Sequence, residues 1–184
     1  AYELVIRDWI SDWCSSDLGV CVMNKVFIGI DPGLDGAMVQ YDTDTFQWIV
    51  MPTIKVGKGR ELDLMAIYHW ICNGPMIGPR IAVIEKVHSM PKQGVASTFK
   101  FGKGYGSILG ILTATSTRYT EVAPQTWKKA MMPDMQKDKE AAIYRAKQLI
   151  TIGSGILDGI KNKKHRIAVA EAYLMARYAQ RMEG

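Results

Sequence analysis

Cysteine is scarce in this chain, with three residues, Cys14, Cys21 and Cys72, among 184. Three thiols so spaced suggest neither a disulfide framework nor a metal cluster, and a reducing compartment is the simpler setting. No uninterrupted apolar run is long enough to cross a bilayer, so no membrane partner is expected. Repeats, low-complexity tracts and linkers are missing too, which leaves one domain with a sizeable core. No Ser, Cys or His stands in a recognisable nucleophilic arrangement. Acid is the minority charge: 18 Asp and Glu against 23 Lys and Arg give a net charge of +5. That balance favours an acidic polymer as partner.

Residues 1–22 differ from the rest of the chain. They hold one basic residue, Arg7, against four acids, Glu3, Asp8, Asp12 and Asp17, with two of the cysteines and Trp9 and Trp13. They show no clean period, and they lack the basic start and apolar centre of a secretory signal. Met23 stands just before the first apolar run. Residues 1–22 are therefore read as a non-native or flexible leader and 23–184 as the folded domain. The other reading is an N-terminal helix packed on that domain. Without the leader the basic excess is larger than +5.

What is present is organised around Val26-Phe27-Ile28-Gly29-Ile30-Asp31-Pro32-Gly33-Leu34-Asp35-Gly36-Ala37. The short β-branched run predicts a strand buried on both faces. Asp31-Pro32-Gly33 and Asp35-Gly36 predict a turn, and Ala37 to Tyr41 a second strand. Phe46 to Met51 reads as a third strand, and Pro52 to Arg60 as a basic, Gly-containing loop. Leu62, Leu64, Met65, Tyr68 and Ile71 recur at helical spacing, and Arg80 to Val87 is a fourth strand. A meander of three strands, a helix and a further strand predicts a crossover to a parallel neighbour of the first.

Val95 to Ala114 reads as a long helix in which Gly102, Gly106 and Gly110 fall four apart on one face. Each costs about 1 kcal/mol relative to Ala, so the face is expected to meet another backbone closely. The chain's own sheet is the first candidate for that contact, and a second subunit or a DNA strand are the others. Arg118 to Val122 is the fifth strand. Pro124 opens a helical turn with Trp127, Lys128 and Lys129. Asp138 could cap a helix to about Ile150, the stretch from Gly153 to Lys164 is a loop, and an Ala-rich helix runs from about His165 to Arg181.

Asp31 and Glu85 each end a core strand, and neighbouring strands would bring the two carboxylates together. Carboxylates so placed repel unless they share a proton or bind a cation, and for oxygen ligands that cation is Mg²⁺ or Mn²⁺. Glu171 stands among alanines in the last helix and is the candidate third ligand. The plainer readings are that Asp31 caps its turn and that Glu171 lies on a solvated face.

The same residues resemble motifs of the RuvC family of Holliday junction resolvases, in its phage-type branch, within the ribonuclease H-like superfamily. The resemblance is carried in order by Phe27 to Ala37, Ile84 to Val87, Met90 to Gly106, Val122 to Lys129 and Ala170 to Ala176. It implies an α/β fold, a ribonuclease H-like five-stranded mixed sheet flanked by α-helices. It implies a homodimer in a bacterial or phage-infected cytoplasm, cutting four-way or other branched DNA with two Mg²⁺ or Mn²⁺ ions. Asp31, Glu85 and Glu171 match the family's catalytic, metal-holding acids, and Asp31 would bridge the ions. In such a site the metals activate water and steady the departing 3′-oxygen.

One departure stands out. The family has a further acid, sometimes His, one turn before the last carboxylate, where this chain has Ala168. His165 lies a further turn back and is expected to be structural. Ala168 is therefore expected to weaken one metal site and impair cleavage while leaving DNA binding intact. For that binding the candidates are Lys92, Gln93, Phe99, Lys100, Lys103, Tyr105, Lys128 and Lys129, lysines for phosphates and rings for bases. Phe99 and Phe101, about 200° apart on a helix, are not both expected in the core. A non-cleaving protein of the same fold that binds branched DNA is the alternative. A kinase or chaperone-like ATPase would need a second domain, for which the chain has no room.

Overall fold

The structure, a computed structural model, describes residues 24–42, 46–73, 78–87, 94–133, 139–150 and 155–184. The expected leader, Lys92, Gln93 and the capping Asp138 lie outside the described residues. In chain order the elements are β1 (Val26–Ile30), β2 (Ala37–Tyr41), β3 (Phe46–Val50), β4 (Thr53–Val56) and β5 (Gly59–Leu62). Then come α1 (Leu64–Cys72), β6 (Arg80–Glu85), α2 (Val95–Ala114), β7 (Arg118–Val122), α3 (Pro124–Met131), α4 (Lys139–Leu149), α5 (Ile156–Gly159) and α6 (Lys163–Glu183).

Five strands form one mixed sheet in the order β3-β2-β1-β6-β7. β1, β2 and β3 are an antiparallel meander, and β6 and β7 join parallel to β1. This is the expected fold class, and the strand after the first crossover does lie beside β1.

Helices cover both faces of the sheet, so its central strands β1 and β6 are mostly apolar, while the edge strand β7 is largely exposed. The period of two still sorts the central ones. Val26, Ile28 and Ile30 of β1, with Ala82 and Ile84 of β6, pack with α1 and α2. Phe27, Ile81 and Val83 point the other way, into a core shared with α3, α4 and α6. α6 is the central helix of that layer, with Ala168, Ala172 and Ala176 buried. Small side chains let it lie close. A Cβ on Gly29 would stand 1.8 Å from the Ala172 carbonyl oxygen and 2.6 Å from the Ala176 nitrogen.

Three expectations are corrected. The basic stretch 52–60 is not a loop, because β4 and β5 pair as a hairpin, with Val56 opposite Gly59. Gly57, at φ +58°, supplies the left-handed residue that a two-residue turn needs. The strands are only four residues each, and their lysines and glycines hide the alternation. Second, the glycine face of α2 does not pack on the sheet. Ile108 and Leu112 are the buried side of that helix, and a Cβ on Gly102, Gly106 or Gly110 would meet nothing within 4 Å. Third, the last helix starts at Lys163, two residues early, because the Asn162 side chain accepts from the Lys164 N–H.

Candidate functional site

The parallel register of β1 and β6 ends on Ile30 opposite Ile84, so the next residues, Asp31 and Glu85, stand side by side at the C-terminal edge of the sheet. Alternation from Phe27 and from Ile81 and Val83 puts both acids on the α6 side. The turn after β1 holds Asp31 rigidly. Its N–H donates to the Ala37 carbonyl at 3.0 Å, and its Oδ1 accepts from the Gly33 N–H at 3.3 Å. Gly36 is required there, since a Cβ would fall 2.2 Å from the Asp31 carbonyl oxygen.

The other walls come from α3 and α6. Trp127, wholly buried, donates its indole N–H to Glu85 Oε2 at 3.0 Å. The neighbouring Lys128 ammonium reaches Glu171 Oε1 at 2.8 Å and lies 5.0 Å from the Trp127 ring centre. Two consecutive α3 residues thus grip the two acids that come from different elements. The sequence puts Lys128 among the candidate DNA contacts and marks no role for Trp127. A buried-type aromatic beside paired lysines, one helical turn after Pro124, was the signal available.

Burial is the main force on the charges. It raises the Asp31 carboxyl above its ordinary value, and the Glu171 charge adds to this, against the Gly33 N–H and Lys128, which lower it. Glu85 is raised likewise by burial and by the Asp31 and Glu171 charges, against the Trp127 bond and Lys128. Asp31, Glu85 and Glu171 therefore share one electrostatic neighbourhood. Asp35 does not share their burial. Its carboxyl is exposed and lowered by Arg60, whose guanidinium bonds it at 2.7 Å.

Among the described residues no three His, Cys, Asp or Glu side chains stand close enough to make a ready ligand set for a metal ion. Glu171 instead spends one oxygen on Lys128. The donor chemistry still suits a hard divalent cation: every donor is a carboxylate oxygen, and two of the three sit where burial penalises their charge. Ala168 is buried and offers no ligand. His165, in the first turn of α6, is half-buried.

The expected DNA contacts divide. Phe99 is 72 % exposed, while Phe101 is half-buried, in line with their 200° separation. Lys100 and Lys129 are exposed, and Lys103 is exposed but lies 3.4 Å from Glu61. Tyr105 is half-buried against the core on the sheet side of α2 and donates its hydroxyl to the exposed Glu121 at 2.7 Å, so its hydroxyl is engaged within the chain.

No family model matches the sequence, and no curated protein matches it. Solved structures do. The chain is similar to Thermus thermophilus RuvC at 15 % identity, with a TM-score of 0.52 over 87 % of this chain and 97 % of that one. It is similar to T. thermophilus RuvC in complex with Holliday junction substrate at 16 % identity, with a TM-score of 0.55 over 86 % of this chain and 96 % of that one. The likeness shows the RuvC-like, ribonuclease H-like fold.

Proposed function

We propose that this chain is a structure-specific DNA endonuclease that resolves four-way junctions by phosphodiester hydrolysis with Mg²⁺ or Mn²⁺, two ions by the family pattern. The observation that carries the reading is the β1–β6 register, which sets Asp31 beside Glu85 under the helix that bears Glu171. The same fold in a neighbour solved with a Holliday junction substrate supports branched DNA as the substrate class. The phage-type branch rests on the ordered motifs alone.

Asp31, Glu85 and Glu171 would hold the cation. Bound there, it supplies an activated water and charge for the departing 3′-oxygen. The rest is positioning by this chain. The Gly33–Gly36 turn aims Asp31, the Trp127 N–H aims Glu85, and Lys128 holds Glu171 and adds positive charge where a phosphate would arrive. No helix of the described residues is long and apolar enough to cross a membrane, and a reducing cytoplasm fits the few thiols. A homodimer is proposed as well, with the open Gly102–Gly106–Gly110 face as the surface that would let a second backbone close in. Sedimentation equilibrium at twice the chain mass is the expected result.

The second reading, a protein that binds branched DNA without cutting it, is favoured by Ala168 and by the Lys128–Glu171 pair. One experiment separates the two. Four-way junction cleavage in Mg²⁺ is expected to be slow for this chain and at least about tenfold faster for Ala168→Asp, a gain of about 1.4 kcal/mol in the barrier. Binding in EDTA should be similar for both. Equal, robust cleavage by the two proteins would show that Ala168 impairs nothing, and no cleavage by either would favour the binder.

A further inference from the structure

The basic stretch 52–60 has no part in the proposed chemistry. It lies in the β4–β5 hairpin, a two-stranded sheet apart from the main one, and it carries Lys55, Lys58 and Arg60. The hairpin's one acid, Glu61, is set against Lys103 of α2 at 3.4 Å. Lys55 and Lys58 are exposed. No carboxylate among the described residues comes within ion-pair distance of either.

The strand register concentrates that charge. Lys55 stands directly opposite Arg60. Residues so paired share one face of a hairpin, with Cβ atoms about 5 Å apart, and like charges there destabilise it. A two-stranded hairpin is marginal by itself, so an anion between the two cations would relieve it. The Asp35 carboxylate meets only part of that need. It takes one terminal nitrogen of Arg60 at 2.7 Å, and a guanidinium carries five N–H donors. A shallow concavity of about 460 Å³ is bounded by the three cations with Thr53, Ile54 and Gly59.

The hairpin is also fastened to the turn that aims Asp31. Arg60 holds Asp35, and the Met51 N–H just before the hairpin donates to the Gly36 carbonyl at 2.9 Å. Cations in a row beside that turn fit a row of anions passing it. We propose that the hairpin binds the sugar-phosphate backbone of the junction arm leading away from Asp31, one phosphate between Lys55 and Arg60 and a neighbouring one at Lys58. This rests on the nuclease reading, because the strand that meets Asp31 supplies those phosphates. An acidic protein would match the charge, but nothing would bring it to the Asp31 turn. Phosphate contacts carry no base information, so the hairpin fixes where the arm lies and not which sequence is cut.

The test is binding to a four-way junction, without divalent metal, by the wild type and by the double variant Lys55→Gln/Lys58→Gln. At about 0.1 M salt the variant is expected to bind up to roughly 60-fold more weakly, with a salt slope lower by about two, one for each lost phosphate. Both lysines are exposed and one faces a like charge, so the variant should melt at or above the wild-type temperature, which thermal unfolding checks. Single methylphosphonates, each removing one phosphate charge, then locate the contact. One or two adjacent positions on an arm are expected at which neutralisation weakens the wild type by roughly 8-fold and leaves the variant unaffected. If the variant binds with the wild-type slope, or no position loses its penalty in the variant, the hairpin assignment is overturned and the nuclease reading stands. The cations would then guard an exposed strand edge or meet an acidic protein. If the wild type binds no branched DNA at all, both readings fall together.

Discussion

Asp31→Asn is expected to lose junction cleavage by about 10³-fold or more, some 4 kcal/mol of barrier, and at the same time to melt at a higher temperature. The amide keeps the shape of the carboxyl and can still accept from the Gly33 N–H. What it removes is a charge that burial and Glu171 both disfavour. Removing a destabilised functional charge commonly adds about 0.5–2 kcal/mol, or a few degrees for a domain of this size.

The pH dependence has a definite sign. In the folded chain the Asp31 and Glu85 carboxyls are raised, so the unfolded chain ionises first as pH rises. The wild type therefore loses stability from the ordinary carboxylate range up to the raised values, and the loss is complete above them. The advantage of Asp31→Asn should be largest at neutral pH and close in acid. Added Mg²⁺ should raise the melting temperature of the wild type and not of the variant, since an ion bound only to the folded state stabilises it. Calorimetric melts at several pH values, with and without Mg²⁺, check all three points. A variant no more stable than the wild type at neutral pH would mean that the carboxylate is not under strain.

Gly29→Ala is expected to unfold the domain. A methyl group there would overlap the backbone of α6, at 1.8 Å from the Ala172 carbonyl oxygen and 2.6 Å from the Ala176 nitrogen. Neither atom belongs to a side chain that could turn away. Ordinary overpacking costs about 1–3 kcal/mol, and a backbone clash exceeds it, reaching the 4–5 kcal/mol that few single substitutions attain. Against a typical stability of about 5–15 kcal/mol, such a change leaves little folded protein. The same methyl on Gly106, which meets nothing within its own chain, should leave the domain folded and favour the helix by about 1 kcal/mol, any cost falling instead on the proposed dimer contact. Circular dichroism melts of the two variants, side by side, separate clash from loss of glycine as such. A cooperative, wild-type melt for Gly29→Ala would refute the tight β1–α6 contact.

Much of the fold is legible in the sequence. β1, β2, β3 and β6 can be read because each is a short, mostly apolar run with a turn signal nearby, whereas β7 is more polar. The crossover to β6 can be read because a meander followed by a helix has few other places to go. Asp31 and Glu85 are legible as acids that end such runs. The β4–β5 hairpin is not, since four-residue strands of mixed charge leave no pattern above that of a loop. Gly29 could have been noticed, because a lone glycine inside a strand often marks a close backbone approach. Its partners, Ala172 and Ala176, lie far along the chain and could not be named.

The sequence alone determined which groups are present: strand-ending acids, a last acid set among alanines, and no ligand where Ala168 stands. It also determined the alternation that sends Asp31 and Glu85 to one side of the sheet. Only the tertiary structure decided that Lys128 spends its charge on Glu171, that the Tyr105 hydroxyl is taken by Glu121, and that the glycines of α2 open outward. The reason is physical. Periodicity along a chain states which face a side chain takes, but distances of 2.7 or 2.8 Å depend on how helices are set against the sheet. That setting follows from long-range packing, such as α6 lying on Gly29, which no local window contains.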